Sequence, residues 1–145
     1  MNQTKSYIFV IVQFGLIGAL LITGPVFPQN SIFLLVELSG IALGIWAVFS
    51  MQIGNFNITP IPKKKGKLTT TGPYKIIRHP MYAAILLTLL PLIISDSSAM
   101  RFIFYGVLTV DLVAKSYYEE NLLSKSLIGY TAYRKNTYRI IPYLY

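Results

Sequence analysis

The sequence predicts an all-α, polytopic membrane helical bundle, with about four transmembrane helices plus a C-terminal cytoplasmic amphipathic helix. Three observations predict it. Hydrophobic residues make up 54% of the 145 residues and charged residues only 12%, where a soluble domain carries about 25% charged. The apolar residues fall into four long runs separated by turn-rich or polar segments. The basic residues alternate with those runs as in a polytopic membrane protein. The length allows one domain, here residues 1–145, divided into two N-terminal membrane helices (1–53) and a core (54–145).

Met1–Ser6 is short and polar, and Tyr7–Thr23 is then apolar, broken only by Gln13. A signal peptide would be followed by a cleavage site and a soluble domain. More apolar segments follow instead, so this run reads as the first span, with Gly15 and Ala19 offering a small face for helix contact. Gly24, Pro25 and Pro28 end it, and Asn30 or Ser31 can cap the next helix. Ser31 to about Ile53 is the second span. It holds a Gly40/Gly44 GxxxG pair suited to helix packing. It also holds Glu37, an acid that is costly in lipid and normally faces a bundle interior or water.

Residues 54–71 form the major polar loop, with Lys63, Lys64, Lys65 and Lys67. Pro80–Ile94 is the third apolar segment, about 15 residues and short for a bilayer core of about 30 Å. Ser95–Ser98 is a tight connection, and Phe102 to about Tyr118 is the fourth segment, interrupted by Asp111 and Lys115. All 13 basic residues except Arg101 fall on one side of a four-span arrangement. By the positive-inside rule that side is cytoplasmic and carries both termini. The same alternation accounts for the net charge of +8 without a nucleic-acid partner. There is no Cys and one His, too little material for a metal centre.

The segment Thr70–Tyr82 organises the chain. Gly72-Pro73 reads as a turn, and Pro80 suits the first turn of a helix, where its missing N–H costs nothing. Arg78 and His79 therefore stand where a basic loop feeds a helix, a place that attracts anions. Gly72-Pro73-Tyr74 followed by Arg78-His79-Pro80-Met81-Tyr82 resembles the signature of the isoprenylcysteine carboxyl methyltransferase family, which is related to the membrane phospholipid N-methyltransferases. The tail agrees. Glu119-Glu120-Asn121-Leu122-Leu123 is similar to that family's Glu-Glu-x-x-Leu element, and Tyr130, Tyr133, Thr137, Arg139 and Pro142 resemble its closing pattern. The likeness covers roughly Asn55–Pro142, while the first two helices match only in hydrophobicity.

The resemblance implies an integral membrane enzyme using S-adenosyl-L-methionine, its active site on the cytoplasmic side. It implies cofactor contacts from Leu68, Thr69, Tyr74, His79, Pro80, Met81, Tyr82 and Glu119, and catalytic roles for His79, Glu119, Lys115 and Arg78. Lys115 stands where eukaryotic members place a basic residue against the substrate. Ala84 departs from the Gly often found there, which narrows the site. Independently of the resemblance, Asp111, Lys115 and Glu119 recur every fourth residue and share a helix face. That stripe is either a self-neutralising set of ion pairs or the lining of a polar cavity.

The expected reaction is methyl transfer to a lipophilic or lipid-linked acceptor, with a carboxylate as the receiving group. An amine acceptor would need a base, for which Glu119, Glu120 and His79 are the candidates. Alternatives are a phospholipid amine N-methyltransferase, a non-catalytic membrane protein retaining the fold, and a membrane reductase, against which the chain length argues. Expected partners are the acceptor and membrane lipids, with a homodimer through the GxxxG face.

Overall fold

Capping and proline chemistry set the helix starts. The computed structural model describes residues 3–51, 68–96 and 98–144. Helix α1 spans Gln3–Ile22 and α2 spans Ser31–Ser50. Asn30 caps α2, its Oδ1 accepting from the Ile32 N–H at 2.9 Å, which satisfies one of the orphan donors of the first turn. A 3₁₀ turn over Gly72–Lys75 leads to α3, Pro80–Ser95, with Pro80 at the helix start as the sequence predicts. Ser98 caps α4, Ala99–Ser126, by accepting from Arg101 N–H at 3.3 Å. Helix α5 is only Tyr130–Lys135. The long lysine loop, with Asn55, Phe56, Lys63, Lys64, Lys65 and Lys67, lies outside the described residues.

The chain is helical throughout its long elements. Two of them, Thr4–Ile22 and Ser31–Ser50, are long and apolar enough to cross a membrane. Their outward faces are apolar: Ile11 is 70% exposed, Leu35 67% and Phe49 84%, a surface suited to lipid rather than water. Helix α3 is apolar but shorter, at 16 residues. Helix α4, at 28 residues, rises about 42 Å. It continues beyond the predicted apolar segment ending near Tyr118 and carries Glu119, as the helical spacing predicts, together with Glu120.

Helix α2 packs along α3, and α1 along α4, with α3 against α4. The core is where α1, α3 and α4 meet: Leu20, Tyr82, Leu89, Leu92, Ile93, Leu108 and Leu112. The GxxxG pair makes the α2–α3 contact. A Cβ at Gly40 would stand 2.6 Å from the backbone N of Thr88, and one at Gly44 would stand 3.4 Å from Ala84 Cβ. This face is therefore packed against α3 within the chain. Ala84 likewise faces Gly44 rather than the site residues. The small face predicted for α1 is not a close contact either, since a Cβ at Gly15 would meet nothing within 4 Å.

Buried polar groups mark the ends of the bundle. Arg101 is buried, pairing with Asp96 Oδ2 at 2.8 Å and donating to the Leu20 carbonyl at 3.3 Å. A cation thus closes the C-terminus of α1, where carbonyls lack helical donors. Its guanidinium occupies the space a side chain at Gly24 would fill. At the opposite end, Gly72 adopts φ +58° against the end of α2, and Thr71 Oγ1 donates to the Ser50 carbonyl at 3.3 Å.

Candidate active site

The segment before α3 is held by the tail. A parallel bridge joins Ile77 and Tyr138. Tyr138 N–H donates to the Ile76 carbonyl at 2.9 Å, Arg78 N–H to that of Tyr138 at 2.8 Å, and His79 N–H to that of Arg139 at 2.9 Å. Tyr133 Oη donates to the Tyr74 carbonyl at 2.7 Å, and the Arg78 guanidinium donates to the carbonyls of Thr137 and Arg134. The two motifs, distant in sequence, are thereby locked together through backbone bonds.

The adjacent glutamates of α4 divide the work. Glu120 is the buried hub, with its side chain 2% exposed. Its carboxylate receives Arg78 Nε at 2.8 Å, His79 Nε2 at 3.3 Å and both Nε and Nη2 of Arg139 at 3.0 Å, with Arg134 Nε at 3.3 Å on the outside. Burial opposes its charge, but the hydrogen bonds from His79, Arg139 and Arg78 outweigh it and hold Glu120 well below the usual carboxylate range. Arg139 also stacks over Tyr117 at 3.6 Å. Glu119 is more open, its side chain 16% exposed. It accepts from Tyr82 Oη at 2.6 Å and faces His79 Nδ1 at 3.3 Å.

His79 is sandwiched. Its two nitrogens face one glutamate each, and its ring stacks on Tyr82 at 5.2 Å, tilted by 5°. Burial works against the imidazolium, yet bonds to Glu119 and Glu120 prevail and raise its pKa. His79 therefore favours its protonated form, with one glutamate at each ring nitrogen. It is poorly placed to take a proton, and Glu120 is saturated by cations. Of the three candidate bases, Glu119 is the most exposed, with one oxygen facing Tyr82 and the other His79. Burial, with Tyr133 and Glu119 nearby, keeps Tyr74 protonated by raising its pKa. Burial likewise pushes Tyr133 up to about 12.

Lys115 lies one helical turn deeper. It is buried, its Nζ 2.8 Å from Gln13 Oε1 and 5.2 Å from the centre of the Tyr82 ring. The structure thus gathers His79, Tyr82, Glu119 and Lys115 around one point, with Tyr74 and Pro80 buried beside them. Arg78 joins through Glu120, tying the loop to the tail. Leu68 and Thr69 are half-buried just before the 3₁₀ turn. Met81 lines a different feature: an apolar crevice of about 360 Å³ with walls from α1, α2 and α3, including Ile17, Gly44, Val48, Ala84 and Thr88.

Sequence reasoning missed the hub role of Glu120, its partners Arg134 and Arg139, and Gln13. The signal for Gln13 was visible, since it alone interrupts the apolar run of the first helix. Among the described residues no group of three or more His, Cys, Asp or Glu is arranged to hold a metal ion.

A family model described as phospholipid methyltransferase matches residues 32–128, about two thirds of the chain. The match runs from the first turn of α2 to the end of α4, so it contains His79, Tyr82, Lys115 and both glutamates. No curated protein and no solved structure matches the chain.

Proposed function

Because the chain belongs to the phospholipid methyltransferase family, we propose that it transfers a methyl group from S-adenosyl-L-methionine to a lipophilic acceptor at the cytoplasmic face of a membrane that α1–α4 span. The observation that carries the reading is the partly exposed carboxylate of Glu119, held between the Tyr82 hydroxyl and His79 Nδ1. The donor set fits the cofactor. Glu119 offers an anion for its cationic or ribose part. The positive end of α3 suits its carboxylate, while Leu68, Tyr74 and Tyr82 offer surface for the base. Bound there, the cofactor supplies a methyl carbon already activated by its sulfonium.

What the chain supplies is positioning. Tyr82 holds Glu119, Glu120 holds His79, and the α3 N-terminus holds all of them at the membrane boundary. The apolar crevice beside Met81 is large enough for part of a lipid chain. Lys115 offers a cation to an acceptor carboxylate. Such an acceptor brings its own lone pair, so no residue takes a proton, and rate depends on alignment and exclusion of water. The second reading is an amine headgroup of a phospholipid. It is favoured by the description of the matching family and by the availability of Glu119 to accept the proton.

The test is incubation of purified protein with methyl-labelled donor and membrane lipid extract, followed by mild alkali. A carboxyl ester releases labelled methanol, whereas a methylated amine keeps its label. The cofactor assignment is abandoned if neither the parent nor any lipid fraction takes up label and the donor fails to shift the thermal midpoint.

A further inference from the structure

The tail that closes the site has an outward face with no role in the chemistry above. In the paired segments Ile77, His79, Arg139 and Ile140 turn inward and are buried, while Ile76 is 46% exposed, Tyr138 38%, Ile141 49%, Tyr143 83% and Leu144 79%. The rings of Tyr138 and Tyr143 stand 5.2 Å apart, and exposed Lys75 directly precedes Ile76, so exposed apolar and aromatic side chains are concentrated in the paired segments and the residues that follow them. Its depth is set by backbone hydrogen bonds: those from Arg78 and His79 hold Tyr138 and Arg139 beside the residues directly before Pro80, where apolar α3 begins. The charge at this end is one-sided. Among the described residues its acidic side chains are Glu119 and Glu120, both engaged around His79, and the exposed charges are Lys5, Lys75, Lys125, Arg134 and Lys135.

We propose that this face is immersed in the headgroup layer of an anionic membrane, so that the lipid surface itself holds the tail closed over the site. The proposal rests on the reading that the helices span with this end at the inner interface. Tyrosines and aliphatic side chains are at home at headgroup depth, and lysines there are attracted to anionic lipids. Water would instead leave five neighbouring apolar side chains hydrated at the membrane boundary.

The chain contains no native Cys, so single labels are clean. An environment-sensitive dye is placed on Leu144→Cys, and a reference dye on Leu35→Cys in α2. The full-length protein is reconstituted in vesicles of phosphatidylcholine alone or mixed with phosphatidylglycerol. With phosphatidylglycerol, the Leu144→Cys dye should shift to the blue and be quenched by lipids nitroxide-labelled near the headgroup. Adding Lys75→Gln should lower the ratio of immersed to exposed dye about fivefold. The proposal falls if that dye stays open to aqueous iodide in both vesicles, or is equally immersed in both, while the Leu35→Cys dye is quenched by deep nitroxides. If the Leu35→Cys dye also escapes deep quenching, the spanning arrangement fails, and this proposal fails with it.

Discussion

Replacing Glu120 by Gln tests whether the adjacent glutamates are as different as their surroundings make them. The substitution keeps the shape and removes the charge that receives Arg78, His79 and Arg139. The side chains of Arg78 and Arg139 are 8% and 7% exposed, so both cations are left without their carboxylate in a poorly hydrated place. Removing one partner of such a buried set costs about 3–5 kcal/mol. Arg134 adds little, being 45% exposed and so worth about 0–1 kcal/mol. For a chain of this size the loss lowers the thermal midpoint by about 10 °C. Glu119→Gln leaves no buried guanidinium unpaired and weakens the bond from Tyr82 and the contact with His79, together about 1–2 kcal/mol, or about 3–6 °C. The assay is intrinsic-fluorescence melting in detergent at neutral pH, with S-adenosyl-L-methionine titrated into each variant. Glu120→Gln is expected to melt early. Glu119→Gln is expected to melt closer to the parent but to lose the ligand-induced shift. Equal melting of the two variants, or a Glu120→Gln midpoint within a degree of the parent, would refute the division of labour.

Other outcomes follow from the same geometry. Gly40→Ala forces a methyl group against the Thr88 backbone at 2.6 Å and should cost about 1–3 kcal/mol, whereas Gly44→Ala should be nearly neutral; paired melting curves decide. The pH dependence has two limbs. The His79 pKa is raised in the folded state, so its contribution is complete below its ordinary value of 6.5 and is lost as pH rises through the raised one. The Glu120 value is lowered, so its contribution is present above 4.5 and is lost as pH falls toward the folded value. Stability should therefore peak between these ordinary values, and His79→Asn should flatten the alkaline limb in melting curves taken across pH 3–9. Lys115→Met should raise KM for a carboxylate acceptor about tenfold or more while leaving the S-adenosyl-L-methionine thermal shift intact; an unchanged KM would remove Lys115 from acceptor recognition.

Local composition and punctuation settled much of this protein. The apolar runs required helices, Pro80 marked a helix start, Gly72-Pro73 a turn, and the small pair Gly40/Gly44 a close helix contact, because each depends on neighbours within a few residues or on covalent geometry alone. The stripe of Asp111, Lys115 and Glu119 was legible for the same reason, since helical spacing fixes which side chains share a face.

What the tertiary structure decided is how charges pair across long gaps. Two adjacent glutamates look equivalent in sequence. Only the fold turns Glu120 toward Arg78, His79 and Arg139 and leaves Glu119 partly exposed between Tyr82 and His79, because a one-residue step on a helix rotates a side chain by about 100°. Lys115 bonds to Gln13, from the other end of the chain, and Gly40 and Gly44 pack against α3. No spacing rule encodes such choices: they depend on which helix faces meet, and that is fixed by packing of the whole bundle.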